Sequence, residues 1–320
     1  MNTLSKMPVL CLGEALIDVI IRGDESSEHV GGSPLNVACG LAALDHDTAL
    51  ASWWGADERG QAIEQFAADH GVGLVPGSNS AAHTGVAYAR LDAQGRANYE
   101  FDLEWQVPQL PEPKELTHLH TGSFAATLEP CSSAVLAAVK KMAINGTVSY
   151  DPNIRPALMG RPEQVRDRIE QIIALADVVK ASDEDIAWLY GEDTPVEKVM
   201  RRWLASGPGL VVATRGPWGA YAVLAGDRDM FVIDPLNVEV ADTVGAGDSF
   251  MAGLLSGLLD ADLVGRPDAK SRLRVAHWED VRSALHRAVV TSGLTVSRAG
   301  AYSPSRAEIG RVLTADPRLR

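Results

Sequence analysis

The chain has 320 residues, of which 46% are hydrophobic and 22% are charged, which is typical of globular proteins and sufficient for a large core in one or two domains. Its formal net charge of −13 at pH 7 argues against nucleic acid or an anionic membrane as the main partner, because both repel an acidic surface. The three cysteines (Cys11, Cys39 and Cys131) are scattered and form no Cys-x-x-Cys pair, which argues against a disulfide framework or a zinc site.

Residues 1–6 are too few and too polar for a signal peptide, and no apolar run reaches membrane length, so we expect a cytoplasmic protein.

The first predicted element is a buried strand at residues 9–12, and its apolar continuation at 15–21 contains one acid, Asp18. A lone carboxylate in an apolar run is costly unless something binds it. The alternative is that Asp18 ends a strand and is exposed to water.

Residues 31–36 read GGSPLN and predict a turn followed by a helix. The glycine pair makes the turn, Ser33 is a suitable N-cap, and Pro34 suits the first helical position. Asn36 would then lie in the first turn and point towards the same cleft as Asp18. A simple capped helix with an exposed Asn36 is the alternative.

A change of pattern follows the predicted strand at 49–55 and the predicted helix at 61–70. Residues 86–91 and 96–102 alternate between apolar and polar side chains around a glycine-containing turn at 92–95, which predicts a β-hairpin. The hairpin contrasts with the α/β repeats on both sides, so we expect it to belong to a small protruding sheet. Phe101 and Trp105 are candidates for contact with a substrate or a partner subunit, or they only pack this sheet.

Three further strands are predicted to end in polar residues, the place where ligand sites form in an open parallel sheet. The strand at 147–151 leads into DPNIRP, where Arg155 is a candidate ligand for a phosphate or an acidic sugar group, or a surface residue of a Pro-fixed turn. The strand at 177–181 leads into a helix at 183–190. The strand at 209–213 leads into TRGPWG, whose small residues would admit phosphates, although a plain turn also uses such glycines. His118 and His120 share one face of another strand, and without a third ligand nearby they favour packing over metal binding.

The run DTVGAGD at residues 242–248 precedes a buried apolar helix, and Arg266 to Lys270 is predicted to be a loop before a long helix at 278–295. Gly245, Ala246 and Gly247 leave the backbone open to close approach by a ligand. A helix start supplies unpaired N–H groups and the positive end of the helix dipole, which suit an anion. Asp248 would lie beside that anion, where a carboxylate can accept the proton of a hydroxyl that attacks phosphorus.

Strands alternate with helices along most of the chain, which predicts an α/β fold with a mainly parallel sheet and helices on both faces. The run at 242–248, the GGSPLN turn and the DPNIR run closely resemble the signatures of the ribokinase-like (PfkB) carbohydrate kinases. The resemblance implies one α/β domain over residues 1–320 with a small β-sheet lid contributed by residues 18–31 and 84–104. It also implies ATP-dependent phosphorylation of a sugar hydroxyl.

The resemblance assigns further roles by position. Asp18, Gly31, Gly32, Asn36 and Arg155 would bind the sugar, whereas Ser182, Thr214, Gly216, Gly219 and Gly247 would bind the nucleotide. Asp248 would be the base, and Gly245, Ala246 and Gly247 would stabilise the transferred phosphate. ATP and Mg²⁺ are the implied cofactors, and Asp242 marks the region where the family often holds a monovalent cation such as K⁺. Ser182 and Asp185 stand where the family has Asn-x-x-Glu, which leaves an indirect role of Asp185 in Mg²⁺ binding open.

Fructose is the predicted substrate, because residues 13–18 (GEALID), the GGSPLN turn and the DPNIR run resemble fructokinases more than ribokinases. A 2-keto-3-deoxygluconate kinase is the alternative, with Arg155 as the partner of the sugar carboxylate. A sugar-binding regulator without catalysis is a third hypothesis, although it would be expected to lose Asp248 or the preceding glycines. The implied partners are a small sugar and ATP, with a homodimer through the lid.

Overall fold

Thirteen strands form two sheets in residues 9–91, 97–112 and 117–319, the part of the chain that the computed structural model describes. The strands, in chain order, are β1 (Val9–Leu12), β2 (Leu16–Arg22), β3 (Glu25–Gly31), β4 (Thr48–Ala51), β5 (Gly73–Leu74), β6 (Val86–Leu91), β7 (Ala97–Asp102), β8 (His118–Gly122), β9 (Thr147–Asp151), β10 (Val178–Ser182), β11 (Leu210–Thr214), β12 (Ala220–Leu224) and β13 (Phe231–Ile233).

Eleven α-helices accompany these strands in the described ranges. They are α1 (Ser33–Ala43), α2 (Glu58–Asp69), α3 (Ser132–Asn145), α4 (Pro156–Met159), α5 (Pro162–Ile173), α6 (Asp183–Tyr190), α7 (Val196–Ser206), α8 (Ala246–Asp260), α9 (Ala269–Val275), α10 (Trp278–Val296) and α11 (Arg306–Ala315). None of these helices is long and apolar enough to cross a membrane.

The large sheet has nine strands in the order β13-β12-β11-β10-β9-β8-β1-β4-β5. Its strands pair in parallel from β5 to β11, whereas β12 and β13 pair antiparallel at one edge. The prediction of a mainly parallel sheet is therefore confirmed. Because parallel strands point the same way, the carboxyl ends of β1, β8, β9, β10 and β11 meet at one edge of the sheet.

Helices cover both faces of the large sheet, as predicted. Successive strand residues point to opposite faces: Val211 and Ala213 of β11 pack with α3, α5, α6 and α7, whereas Leu210 and Val212 pack with α8, α9 and α10. Helices α1 and α2 cover the second face further along, over β1 and β4. The strands are apolar on both sides because both sides are buried.

The small sheet has four strands in the order β3-β2-β6-β7. It is formed by the two segments to which we assigned the lid, whereas closure over a sugar remains a prediction. Asp18, Ala87 and Phe101 lie in one row across β2, β6 and β7. The predicted hairpin turn at 92–95 lies outside the described residues.

Several predicted boundaries are wrong, among them the start of the helix predicted at 61–70, which begins at Glu58. The apolar run at 9–21 is not one continuous strand: Gly13 N donates to Ala51 O in the large sheet, whereas Ile17 N donates to Gly85 O in the small sheet, so the run divides between two sheets. The strand predicted at 49–55 ends at Ala51. The loop predicted at 266–270 contains the start of α9, which forms because Ala269 and Leu273 are buried on one side of a short amphipathic segment.

Candidate active site

Two helix starts meet beside the carboxyl edge of the large sheet, and the carboxylate of Asp248 lies between them. Gly245 caps α8 with a left-handed backbone (φ 73°), which places Asp248 in the first turn with 9% of its surface exposed. Ser33 Oγ donates to Asp248 Oδ1 (2.7 Å), and Asn36 Nδ2 donates to Asp248 Oδ2 (2.8 Å). The structure thus brings Asp248 and Asn36 together, and it adds Ser33. The prediction that Ser33 is the N-cap is wrong, because Gly32 holds that position and Ser33 is the first residue of α1.

The loop before α8 has little room for side chains. A Cβ on Gly245 would lie 2.7 Å from Ala301 Cβ, and a Cβ on Gly247 would lie 2.9 Å from Lys180 Nζ. The N–H of Ala246 donates to Thr243 O (3.2 Å) within the turn, so an anion would compete with that bond for this group. The positive end of α8 still points out of the loop, which suits a phosphate.

The glycine pair before α1 makes room for neighbouring polar groups. A Cβ on Gly31 would lie 2.1 Å from Asp18 Oδ2, so glycine leaves the space that the carboxylate occupies. Gly32 has φ 123°, and a Cβ there would lie 2.4 Å from Glu14 O. Only a residue without a side chain fits this turn without displacing the backbone.

Arg155 lies close enough to Asp18 to affect its titration. The surrounding protein atoms raise the pKa of Asp18 although its side chain is partly open to solvent, and the positive charges of Arg155 and then His29 act in the opposite direction. Arg155 itself is exposed, and its Nη1 donates to Ile154 O (3.1 Å). Two sequence-predicted sugar ligands, Asp18 and Arg155, are therefore near enough for the charge of one to act on the other.

Glu14 is a site residue that the sequence analysis did not assign. It is 5% exposed, and its Oε2 has no hydrogen-bond partner. Burial raises the pKa of Glu14 to about 7, although hydrogen bonds from its own N–H and from Ser123, and the charge of Arg155, lower it. It lines a small cavity with Trp53, Glu104 and Trp105. A polar residue directly after an apolar strand was the available signal.

Ser182 and Asp185 form a reciprocal cap at the start of α6. Ser182 Oγ accepts from Asp185 N (2.9 Å), and Asp185 Oδ2 accepts from Ser182 N (2.9 Å). Asp185 Oδ1 accepts from Ile154 N (2.9 Å), which ties the end of β9 to the end of β10. Both residues have local structural roles, and each Asp185 oxygen keeps a further lone pair.

The loop after β11 carries the predicted nucleotide ligands Thr214, Gly216 and Gly219. Thr214 Oγ1 donates to Ala181 O (3.4 Å), so this loop adjoins the end of β10. Gly216 and Gly219 have φ values of 49° and 78°, and a Cβ on Gly219 would overlap Ile233 O. The turn therefore requires these glycines for backbone reasons, whether or not a nucleotide binds. Trp218, in the same turn, is 70% exposed.

Asp242 fastens the loop before α8 to the segment after α10. Its Oδ1 accepts from Val244 N (3.1 Å), and its Oδ2 accepts from Gly300 N (2.8 Å). These hydrogen bonds hold the pKa of Asp242 below its ordinary value. Asp242 is therefore ionised at neutral pH, and each oxygen retains a lone pair for a cation.

His118 and His120 are packing residues in the structure. His118 pairs with Thr147 and Ser149, and His120 Nδ1 pairs with Ser149 Oγ (2.9 Å). Among the residues that the structure describes, no cluster of three or more candidate ligands could hold a metal ion. Phe101 and Trp105 are partly buried against the main core.

Comparison with known proteins gives consistent matches over the whole domain. Residues 7–308 match the model of the pfkB family carbohydrate kinases. The chain is 34% identical to a fructokinase from Klebsiella pneumoniae over 256 residues, which cover 77% of this chain and 83% of that protein.

Two solved structures have the same fold. A fructokinase from Xylella fastidiosa with bound ATP superposes with a TM-score of 0.81 at 23% identity, covering 97% of this chain and 99% of that one. A fructokinase double mutant from Vibrio cholerae O395, bound to fructose, ADP and a potassium ion, gives a TM-score of 0.76 at 24% identity over 96% of this chain and 98% of that one.

Proposed function

Because the chain belongs to the pfkB family of carbohydrate kinases, we propose that it transfers the γ-phosphate of ATP to a hydroxyl of fructose. The observation that carries this proposal is the Asp248 carboxylate at the start of α8, hydrogen-bonded by Ser33 and Asn36 of α1. A base, a polar donor and a helix N-terminus are thereby combined in one place, as phosphoryl transfer to an alcohol requires.

The reaction begins when a sugar hydroxyl takes the place of one donor on Asp248. Asp248 accepts the hydroxyl proton while the oxygen forms a bond to the γ-phosphorus. The bond between that phosphorus and the bridging oxygen of ADP breaks, and ADP leaves with the electron pair. Asp18, Gly31, Gly32, Asn36 and Arg155 orient the sugar.

The negative charge on the transferred phosphate is stabilised by the loop before α8. We expect the N–H groups of Gly245, Ala246 and Gly247 to hold this charge, because the helix dipole is positive at the helix start. Asp242 keeps this loop in place through its bonds to Val244 and Gly300. The phosphate would displace the hydrogen bond from Ala246 N to Thr243 O, as the sugar hydroxyl displaces a donor on Asp248.

Ser182, Thr214, Gly216 and Gly219 are the proposed nucleotide ligands, at the ends of β10 and β11. Asp185 would help to hold Mg²⁺ indirectly, and the ion would supply positive charge that offsets the charge of the ATP phosphates. Asp242 is the proposed partner of a monovalent cation; the lone pairs left on its carboxylate support this, as does the potassium ion in the Vibrio cholerae structure.

Fructose is favoured over 2-keto-3-deoxygluconate by the charge of the site. The positive charge of Arg155 acts on both Glu14 and Asp18. These acids therefore already offset part of the charge of Arg155, which a sugar carboxylate would need, and they favour hydroxyl groups as partners. The fructokinase from Klebsiella pneumoniae supports the same choice.

The base assignment is tested by Asp248→Asn. We expect the variant to bind sugar and ATP but to lose about 10²–10⁴-fold in kcat, the usual contribution of general-base catalysis. Asp260→Asn is the matched control, since it removes the same charge from the far end of α8. Near-normal turnover by Asp248→Asn would contradict the assignment.

The substrate is tested by coupled measurement of ADP formation with fructose, ribose, 2-keto-3-deoxygluconate and nucleosides. We expect the highest kcat/KM with fructose. A preference for 2-keto-3-deoxygluconate would support the alternative substrate. Sugar binding without ATP turnover would support the regulator instead. A homodimer through the lid and a cytoplasmic location remain proposals from the sequence.

A further inference from the structure

A buried ion pair lies behind the loop that precedes α8. Lys180 Nζ donates to Asp151 Oδ2 at 2.7 Å, and the side chains are 4% and 1% exposed. On β10, Val179 and Ala181 point into the core under α3 and α5. Lys180 alternates with them and therefore points to the opposite face of the sheet, towards α8.

The ammonium group of Lys180 is directly against the first turn of α8. A Cβ on Gly247 would lie only 2.9 Å from Lys180 Nζ. Because Gly247 has no side chain, nothing separates this charge from the backbone proposed to hold the transferred phosphate. A methyl group there would push against a lysine that Asp151 holds in place.

Lys180 is charged at neutral pH. Burial alone would lower the pKa of Lys180, but the carboxylates of Asp151, Asp185 and Asp248 outweigh it and raise the pKa above its ordinary value. His120 also faces the group, and burial lowers the pKa of His120 to about 3, so its ring is neutral.

Stability alone is a weak reason to bury these two charges. Removing a lysine and a carboxylate from water costs free energy that their attraction barely offsets, and apolar pairs of similar size often serve a core as well. The position of the pair is more informative, because it supplies positive charge beneath a site for an anion. In a low-dielectric interior such a charge acts over several ångströms.

We propose that Lys180 is a positioning residue for phosphoryl transfer, whose buried charge strengthens the hold of the α8 start on the terminal phosphate of ATP through the backbone of Gly247. Asp151 holds the ammonium group in place. The inference rests on the proposed function, since it assigns this loop to the transferred phosphate.

The test removes both charges together, so that no unpaired charge is left in the core. We expect Lys180→Met/Asp151→Asn to melt near the wild-type temperature and to lose about 10²-fold in kcat, as when one preorganised electrostatic contact is removed. Its affinity for ATP should fall more than its affinity for AMP, because the charge acts on the terminal phosphate. Lys180→Met alone should be less stable, since Asp151 is then buried without a partner.

The matched control is Lys270→Met/Asp177→Asn, which removes another ion pair from the opposite end of β10. Lys270 Nζ lies 3.6 Å from Asp177 Oδ1, and Asp177 is the residue immediately before β10. This control should keep the wild-type kcat. A wild-type kcat in Lys180→Met/Asp151→Asn would overturn the inference. An ion pair with only a structural role can be replaced by two uncharged residues without loss of turnover.

The two proposals fail in different ways. If the wild-type protein phosphorylates none of the sugars, the proposed function is wrong. The comparison of ATP with AMP affinity would still decide the role of Lys180. An active wild-type enzyme whose Lys180 variants bind ATP and AMP with unchanged relative affinity and turn over normally would remove only the inference.

Discussion

At the scale of single residues, two carboxylates of the site have opposite surroundings. Asp248 accepts a hydrogen bond on each oxygen, one from Ser33 and one from Asn36. Glu14 is buried, one of its oxygens has no partner, and its pKa is raised to about 7. One acid thus has a donor on each oxygen at a helix start, whereas the other is buried and held near its titration point.

Glu14 should make the protein less stable as the pH rises. Its pKa is higher in the folded state than its ordinary value of 4.5, so between about pH 4.5 and 7 the folded state binds more protons than the unfolded state. The free energy of unfolding then falls as pH rises, by at most about 3 kcal/mol from this group. Glu14→Gln should remove that part and be the more stable protein at pH 8.

Urea unfolding of wild type and Glu14→Gln between pH 4 and 8 measures this effect. The difference between the two proteins isolates Glu14 from Asp151, whose pKa burial also raises, to about 6. A difference that does not change with pH would contradict the prediction.

Residue roles that belong to short sequence runs were predictable, whereas roles created by packing were not. Asp248 and Asn36 lie in the two glycine-containing runs, and the structure joins them. Glu14 and Lys180 gain their significance from burial and from neighbours far along the chain. No local pattern shows that an oxygen of Glu14 lacks a partner or that Lys180 lies behind Gly247.

At the scale of elements, the cap of α6 serves both the fold and the proposed nucleotide site. Ser182 caps α6 in the same way as Ser305 caps α11. In each case the serine hydroxyl accepts from the backbone N–H of the acid three residues later, and the carboxylate of that acid accepts from the serine backbone N–H. Ser182→Ala and Ser305→Ala should each lower the free energy of unfolding by about 1 kcal/mol. Only Ser182→Ala should also raise the KM for ATP, because Ser305 is not one of the proposed ligands.

Chemical denaturation and steady-state kinetics on both variants separate the two roles. An equal KM for ATP in both variants would reduce Ser182 to a helix cap. A rise in KM for Ser305→Ala as well would show that the kinetic effect comes from general loosening.

Elements with strong local patterns were predicted nearly to the residue. The strand at 147–151 and the helix at 183–190 match the structure, because apolar runs, caps and glycines mark their ends. The division between β1 and β2 was missed, since both segments are apolar and only their pairing partners differ. The start of α9 was missed because a short helix depends on what buries it.

At the scale of the whole molecule, the family and the α/β architecture inferred from the sequence are confirmed. The exposed face of the small sheet is relevant to the proposed homodimer. Ile20, Ala89 and Tyr99 lie in one row across β2, β6 and β7. Ile20 is 36% exposed and Tyr99 is 53% exposed. The proposed homodimer would bury these apolar groups against a second copy.

Ile20→Glu should therefore halve the mass measured by size-exclusion chromatography with light scattering. Burying a carboxylate in an apolar contact costs more than the contact gains. Ile144→Glu is the control, because Ile144 is 75% exposed on α3, away from the lid. A monomeric wild type, or equal dissociation of both variants, would contradict a dimer through the lid.

The hydrogen bonds from Ser33 and Asn36 to Asp248 span 215 and 212 residues of sequence. Such distant contacts form late, because a long loop must close before they give any gain. During synthesis Ser33 and Asn36 leave the ribosome long before residue 248. A nascent chain, or one truncated before residue 248, therefore lacks the proposed base and should be inactive until synthesis is nearly complete.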